Sequence, residues 1–597
     1  MAICELKRQY RKDIDILKGL AILGVIFYHI GVAQTGYLGV DVFFVINGFL
    51  IIPLICKEVS DGRFNVIQFL KKKIVRLYPV LLVVCAIALF WGYFVMFPDD
   101  LNTLAESVIA TLTFSNNILS FFLSSDYWDW TNDFKPLMHT WYLGVLVQIY
   151  IFISLFAFLI RIKCQNREKF FRYTIYTMGI LSLILFLLPS IYKDIKFYFF
   201  PFRLFEFCAG GIIGIHCKEI SQFMRRRLGE PVRLGMYFFC ICIMCFLLSN
   251  GILEHTYIVI AVVGITCLCI IVGEGITISK LASPAICIGR ASYSFFLWHQ
   301  VILAFYRLCF STKFSVDNML IYWTVLTVIV LISYFMIEKN KYHFCTWKKF
   351  LILTALLLFV SFGIWTRAGI VRDIPELEID KHNIERRKFP HYVDRIYNYN
   401  HDYSDYDSDR IKVLLIGNSY ARDFANILLE SMMNDRMELS YMPGISEQYS
   451  EETANRIHNS DYVFCFSEKE SLPSYFWDSV SYPENVYGIG TKNFGDCNSI
   501  IYNKRFVIDD IHKETAIIEQ SYAEQEVTLQ EQWGDHYISI LSYAKNEDGT
   551  VKIFTEDNKF ISYDCYHLSP AGARYFAEKI EWDTIFVNDE LMGENEE

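Results

Sequence analysis

Residues 12–52 read KDIDILKGLAILGVIFYHIGVAQTGYLGVDVFFVINGFLII, two apolar runs each long enough to cross a bilayer, with Lys18, His29 and Asp41 inside them or at their ends. Hydrocarbon penalises an ionisable side chain by roughly 3 kcal/mol unless it faces a cavity or a partner, so position alone makes these candidate site residues. At about 100° per residue, the steps from Lys18 to His29 return a helix to within about 20° of the same face. Arg11 and Asp15 fall on that stripe as well. The first helix is therefore expected to carry a polar column, with Lys18 and His29 about 16 Å apart along its axis, roughly half the hydrocarbon thickness. A snorkelling lysine and a histidine bonded to a carbonyl would be the purely structural version. The whole column, followed by GVDVFF, favours a site.

Composition extends this reading to more than half the chain. Of 597 residues, 53% are hydrophobic and 17% aromatic, too many and too apolar for one soluble domain. The long apolar runs end near residue 371, and the remainder is rich in Asp, Glu, Asn and Tyr. A formal charge of −10 without a large basic block excludes a nucleic-acid partner. Fourteen of the seventeen cysteines precede residue 372 at no metal-like spacing and read as small core hydrophobes. Cys465, Cys497 and Cys565 allow at most one bridge. No small-residue cleavage site follows the basic start, so the first span is expected to be retained.

Apolar windows predict about eleven spans, near 14–33, 37–56, 77–97, 138–160, 172–191, 198–216, 234–250, 257–274, 291–311, 318–337 and 349–370. The stretch 103–123, broken by Ser115, Asn116 and Asn117, reads as interfacial or re-entrant. With eleven spans, the basic loops 57–76, 161–172, 218–233, 280–290 and 338–349 share the side of the basic N-terminus, which the positive-inside rule makes cytoplasmic. An odd count places everything after residue 371 outside the cytoplasm. Three domains follow: 1–340 in the membrane, 341–410 as a linking helix and polar linker ending in HDYSDYDSDR, and 411–597 outside.

More polar groups mark the spans. Lys73 and Arg76 lie in KKKIVRLYP (71–79), and His139 follows an aromatic, belt-like loop from residue 126. Arg203 and Glu206 are three apart in FPFRLFEFCAGG (200–211), a spacing that lets them pair. His299 lies within GRASYSFFLWHQ (289–300). Lys18, ten residues, His29 and GVDVFFVINGFLI, then the Lys73–Arg76 segment, HTWYLGVLVQ and GRASYSFFLWH in that order, make residues 10–340 resemble the membrane acyltransferase-3 family. Asn47 stands where that family has Ser, and Leu146 where it has Glu, removing any role tied to that carboxylate. The resemblance implies an acyl-CoA donor, acetyl-CoA above all. It makes His29 the base beside the thioester and Lys18, Arg76, Arg203 and Glu206 donor-binding residues. Asp41, His139 and His299 are then motif residues of the membrane domain. No permanently bound cofactor or metal is implied.

Beyond the linker, VLLIGNSYARDFANILLE (413–430) reads as a buried strand, a turn at Gly417 and a helix starting just after Ser419, whose first amides could polarise an oxyanion. Near the end, YDCYHLSPAGARYFA (563–577) sets Asp564 three residues before His567, close enough for a carboxylate to fix an imidazole tautomer. Together these resemble the SGNH hydrolase family, with Asn418 replacing its usual Asp. That resemblance makes Ser419 the nucleophile and an oxyanion group, His567 the base and Asp564 its orienter. Gly490-Thr491-Lys492-Asn493 matches the block that supplies an oxyanion donor, here Asn493, and Gly444 is the candidate for a second.

The expected molecule is a multi-span α-helical membrane bundle joined to an extracytoplasmic α/β/α SGNH-like domain. Its expected activity is O-acetyl transfer from cytoplasmic acetyl-CoA to hydroxyls of a cell-envelope glycan, such as peptidoglycan or another surface polysaccharide. The lipid bilayer, acyl-CoA and the glycan are its expected partners, in a bacterial cytoplasmic membrane; the sequence sets no oligomeric state. A transporter would share the polar column, and an anchored surface esterase would share the outer triad.

Overall fold

The computed structural model describes residues 10–123, 132–189, 193–251, 254–311, 315–339, 347–379, 389–403, 409–495 and 498–586. The chain forms two compact units. The first comprises Met1–Phe94, Leu101–Arg307 and Lys313–Thr366, and the second Val95–Asp100, Leu308–Thr312 and Arg367–Glu597.

Among the described residues, eleven helices have 18 residues or more: α1 Lys12–His29, α2 Gly39–Ser60, α3 Val66–Val95, α4 Trp141–Lys163, α5 Arg167–Leu187, α6 Phe200–Arg227, α7 Glu230–Ser249, α8 His255–Val272, α9 Ser292–Cys309, α10 Val316–Ser333 and α11 Trp347–Thr366. Eight of these, all but α1, α6 and α9, are long and apolar enough to cross a membrane. The expected count of eleven is thus reduced to eight by composition, for a physical reason. The three exceptions carry Lys12, Asp13, Asp15 and Lys18, then Arg203 and Glu206, then His299 and Arg307. Asp13, Asp15, Arg203, Glu206 and His299 are all buried within the protein. By contrast, only 22–28% of the apolar stretch is buried in α5, α7, α10 and α11. These four form the rim, whereas the polar groups, together with α2, whose apolar stretch is 72% buried, lie inside, as a hydrocarbon solvent demands.

Small residues set a close contact between α2 and α6. A Cβ added at Gly48 of α2 would lie 1.8 Å from the Phe207 carbonyl oxygen of α6, and one at Gly210 1.9 Å from that of Val45. Backbones can approach this closely only without side chains between them. The doubtful stretch 103–123 breaks where its asparagines occur: one helix ends at Leu112, Phe114 takes a φ of 55°, and a new helix runs Asn116–Leu123. Asn116 and Asn117 turn inward, their amides donating to the carbonyls of Leu137 and Tyr198, each at 3.0 Å. Tyr127, Trp128 and Trp130 of the aromatic loop lie outside the described residues.

The second unit is built on a parallel sheet. Strands β1 Ile411–Ile416, β2 Met437–Met442, β3 Tyr462–Cys465, β4 Val486–Ile489, β5 Thr515–Ala516, β6 Tyr537–Ile538 and β7 Val551–Lys552 form a five-stranded sheet of order β2-β1-β3-β4-β6 and an antiparallel β5-β7 pair. Val413 is registered against Leu439 on one side and Tyr462 on the other. One face packs Leu414, Ile416, Val463 and Cys465 against Ile457, Phe476, Leu529 and Trp533 of overlying helices. The other carries α12 Ser419–Glu430, whose Phe424 meets Phe464 at 5.1 Å and Trp582 at 6.1 Å. Helix α13 Pro570–Lys579 packs beside α12.

The expected linker 372–410 is partly structural. Tyr392 and Arg395 both bond Glu430 of α12, at 3.1 and 2.8 Å, and Arg395 also bonds Asn426 at 2.6 Å. The Tyr403 hydroxyl meets that of Ser460 at 2.8 Å. Its aromatic rings find partners in the α/β unit, which polarity and low complexity did not signal. Residues 380–388 and 404–408 of it lie outside the described residues.

Candidate functional site

His29 closes the carboxyl end of α1, His139 lies in the turn Met138–Thr140 that leads into α4, and His299 sits inside α9. Folding brings them together: the His299 ring centroid lies 5.3 Å from that of His29 and 5.2 Å from that of His139. His299 Nδ1 faces the carbonyl oxygens of Phe296 at 2.7 Å and Phe295 at 3.2 Å. A carbonyl accepts only from N–H, so the proton is on Nδ1 and Nε2 carries the lone pair. Arg307 fixes the end of α1, donating to the His29 carbonyl oxygen at 2.6 Å while pairing with Asp133 at 3.2 Å. A cavity of about 620 Å³ lies against His29 and His139, walled by Tyr28, Tyr37, Trp141 and Phe197.

A smaller cavity, about 110 Å³, lies toward the other end of α1 and is lined by Lys18, Lys73, Arg76 and Arg290. Lys18 and Arg76 thus line one cavity, and Arg290 lines it with them. Its sequence signal was its place just before the Ser-Tyr motif of α9. Lys18 also pairs with Asp15 at 3.1 Å, whereas Arg11 turns aside to Asp13 at 2.6 Å, so the column is interrupted at its base. Leu146 is buried in this cavity's wall with Asn47, Tyr142 and Tyr150. The Asn47 amide donates to the Tyr142 hydroxyl at 3.2 Å, and the Tyr150 hydroxyl donates to the Asn47 carbonyl oxygen at 3.2 Å.

Arg203 and Glu206 line neither cavity. Arg203 Nη1 bonds Asp41 at 2.6 Å and Glu206 at 3.0 Å, with all three side chains fully buried. Its guanidinium stacks 5.1 Å from the Phe197 ring. The pairing foreseen within α6 is therefore a triad that reaches back to α2, and Asp41 belongs to it rather than to the histidines.

In the α/β unit, Gly417 ends β1 with a φ of 142°, and a Cβ there would crowd Phe466 and Ala421. Asn418 caps α12, its side-chain oxygen accepting from the Tyr420 amide at 3.0 Å. Ser419 is thereby the first helical residue, at the carboxyl edge of the sheet, where open parallel sheets bind ligands. Asp564 Oδ2 bonds His567 Nδ1 at 2.6 Å, and Oδ1 accepts the amides of Tyr566 and His567, each at 2.8 Å. Burial opposes the charge on Asp564, but the His567 ring and these two amides outweigh it and hold the carboxyl below its usual range.

The Ser419 and His567 segments are tied by a buried ion pair that sequence reading passed over. Asp423, one turn after Ser419, pairs with Lys492 and accepts the Leu568 amide at 2.9 Å. Lys492 donates to the Tyr566 carbonyl oxygen at 2.5 Å. The pair thus grips the chain on both sides of His567. Burial pulls the Lys492 ammonium below its ordinary value, against the attraction of Asp423. Asn493 is fully buried; its side-chain oxygen accepts from the Gly495 and Glu519 amides, each at 3.1 Å, while its Nδ2 has no hydrogen-bond partner among the described residues. Gly444 lies exposed in the loop after β2.

A helical bundle with eight helices apolar enough to cross a membrane, buried ionisable groups and clustered imidazoles has the make-up of a multi-pass membrane protein. The family described as "Acyltransferase domain" matches residues 11–338, and the chain belongs to that family. Among curated proteins it is similar to the peptidoglycan O-acetyltransferase OatA of Listeria monocytogenes, 25% identical over 314 residues, which are 50% of this chain and 50% of that protein. It is also similar to the O-acetyltransferase OatA of Staphylococcus aureus strain NCTC 8325, 27% identical over 319 residues, 50% of this chain and 51% of that protein. The chain spans about half the length of the curated relatives it matches. No solved structure matches it.

Proposed function

We propose that the chain is an integral membrane O-acetyltransferase that moves acetyl from cytoplasmic acetyl-CoA to hydroxyls of a cell-envelope glycan, with peptidoglycan as the first candidate. The observation that carries this reading is the meeting of His29, His139 and His299, the first two lining one cavity, while Lys18, Lys73, Arg76 and Arg290 line another. Cations suit the phosphates of the donor. Imidazole suits the proton transfer: as an acceptor hydroxyl attacks the thioester carbon, His29 takes its proton, the carbon–sulfur bond breaks and the thiol leaves.

The second unit acts as an SGNH-type domain outside the cytoplasm. Ser419 loses its proton to His567 as its oxygen attacks the carbonyl carbon of the ester formed in the bundle, and the released hydroxyl takes that proton; a sugar hydroxyl then attacks the Ser419 ester, its proton passing through His567 to the Ser419 oxygen. Asp564 holds the ring, and the orphaned amide of Asn493 supplies the oxyanion donor. The test is base-labile acetate released from purified envelope glycans of cells with the wild-type chain, Ser419→Ala or no chain. Acetate that rises with the wild type alone supports transfer. Acetate that falls with the wild type and recovers in Ser419→Ala makes the second unit an esterase.

A further inference from the structure

We propose that Phe296 is the partition between the donor cavity and the histidine chamber, and the residue that determines how far an acyl thioester advances and whether water follows it. The inference rests on the acyl-CoA reading above and names a residue which that reading does not use.

Phe296 of α9 lines both cavities and is itself 4% exposed. On the chamber side its ring meets His139 edge-on at 5.1 Å. On the donor side it meets Tyr142 at 5.4 Å, again edge-on. Its carbonyl oxygen holds the Nδ1 proton of His299 at 2.7 Å, so the residue that separates the spaces also sets the tautomer of one imidazole. The two spaces differ in balance: the donor cavity sets Lys18, Lys73, Arg76 and Arg290 against one carboxylate, Glu338, whereas the chamber adds His29 and His139 to a lining in which Lys196 is outnumbered by Asp194 and Glu254. A donor held by its phosphates among the cations must carry its thioester past the Phe296 ring to reach His29. The same ring keeps chamber water from the donor cavity.

Loss of the ring makes water a competing acceptor. Its oxygen attacks the thioester carbon, the carbon–sulfur bond breaks, acetate forms and the thiol takes a proton. Phe296→Ala opens the partition, Phe296→Leu keeps most of its volume, and Phe296→Trp overfills it. In membranes holding the full chain, with acetyl-CoA and no glycan acceptor, Phe296→Ala is expected to raise thiol release at least tenfold over wild type. Phe296→Leu should fall between them, and Phe296→Trp should lower acetyl transfer to glycan at least tenfold. Wild-type rates of both release and transfer in Phe296→Ala and Phe296→Trp would overturn the partition while leaving the transferase reading intact. A wild type that consumes no acetyl-CoA sinks the transferase reading instead. The partition is then judged without donor, by reaction of Leu146→Cys with a charged thiol reagent supplied from the chamber side. Reaction faster in the Phe296→Ala background than with Phe296 intact supports the partition, and equal reaction in both overturns it.

Discussion

Each unit orders one imidazole, and the two do so by opposite means. In the α/β unit a carboxylate does it, Asp564 against His567 at 2.6 Å; in the helical unit neutral carbonyls do it, Phe295 and Phe296 against His299. A lone carboxylate in the bundle would have to be stripped of water for one hydrogen bond, whereas a carbonyl in the helix is already present. Two of the bundle's buried carboxylates, Asp41 and Glu206, are instead held by Arg203, away from the histidines. Solvent decides which orienter a histidine receives.

That contrast can be broken most decisively at the reacting groups. Ser419→Ala and His29→Ala are each expected to lower glycan O-acetylation on the order of 10⁶-fold, read as base-labile acetate, with the protein still in the membrane. Retained activity in either variant removes that residue from the chemistry. Asp564→Asn should come next, at about 10⁴-fold, because an amide cannot hold the correct tautomer.

The same carboxyl has a pH signature. Its folded pKa lies below the unfolded value of about 3.9, so its contribution to stability is complete above that value. It is lost only as pH falls through the lower folded value. Thermal unfolding of the full chain between pH 5 and pH 3, about one unit either side of the unfolded value, should therefore steepen at the acid end in the wild type but not in Asp564→Asn. Within the bundle, Arg203→Met leaves two carboxylates facing each other and should cost about 3–5 kcal/mol, seen as loss of heat-resistant protein in detergent. Recovery in a variant that also carries Asp41→Leu and Glu206→Leu would mark the triad as structural. The smallest expected effect is that of Asn493→Ala, about 10²–10³-fold on transfer with unchanged folding, if its orphaned amide serves the oxyanion.

Local patterns were legible in the sequence. Lys18 and His29 share a helix face, Gly417 to Ser419 follow a short apolar strand, and Asp564 and His567 are three apart; each relation lies within three turns of chain. What was hidden is long-range. The fork from Arg203 to Asp41 spans 162 positions, and Lys492 meets Asp423 across 69 and Tyr566 across 74. Lys492 looked like one polar residue within a glycine-asparagine block, and nothing local marks it as fully buried. The polar interior helices were counted as ordinary spans because apolar windows register length and composition but not which face meets lipid.

The triad on α2 and α6 also bears on biogenesis. Arg203 and Glu206 entering lipid alone would cost α6 roughly 2.5–3.5 kcal/mol each on an insertion scale, and their partner Asp41 lies in a helix synthesised far earlier. The first helices must therefore remain within lateral reach of the insertion machinery until α6 emerges. Membrane integration of α6 is then coupled to that of α2 rather than an independent partitioning step.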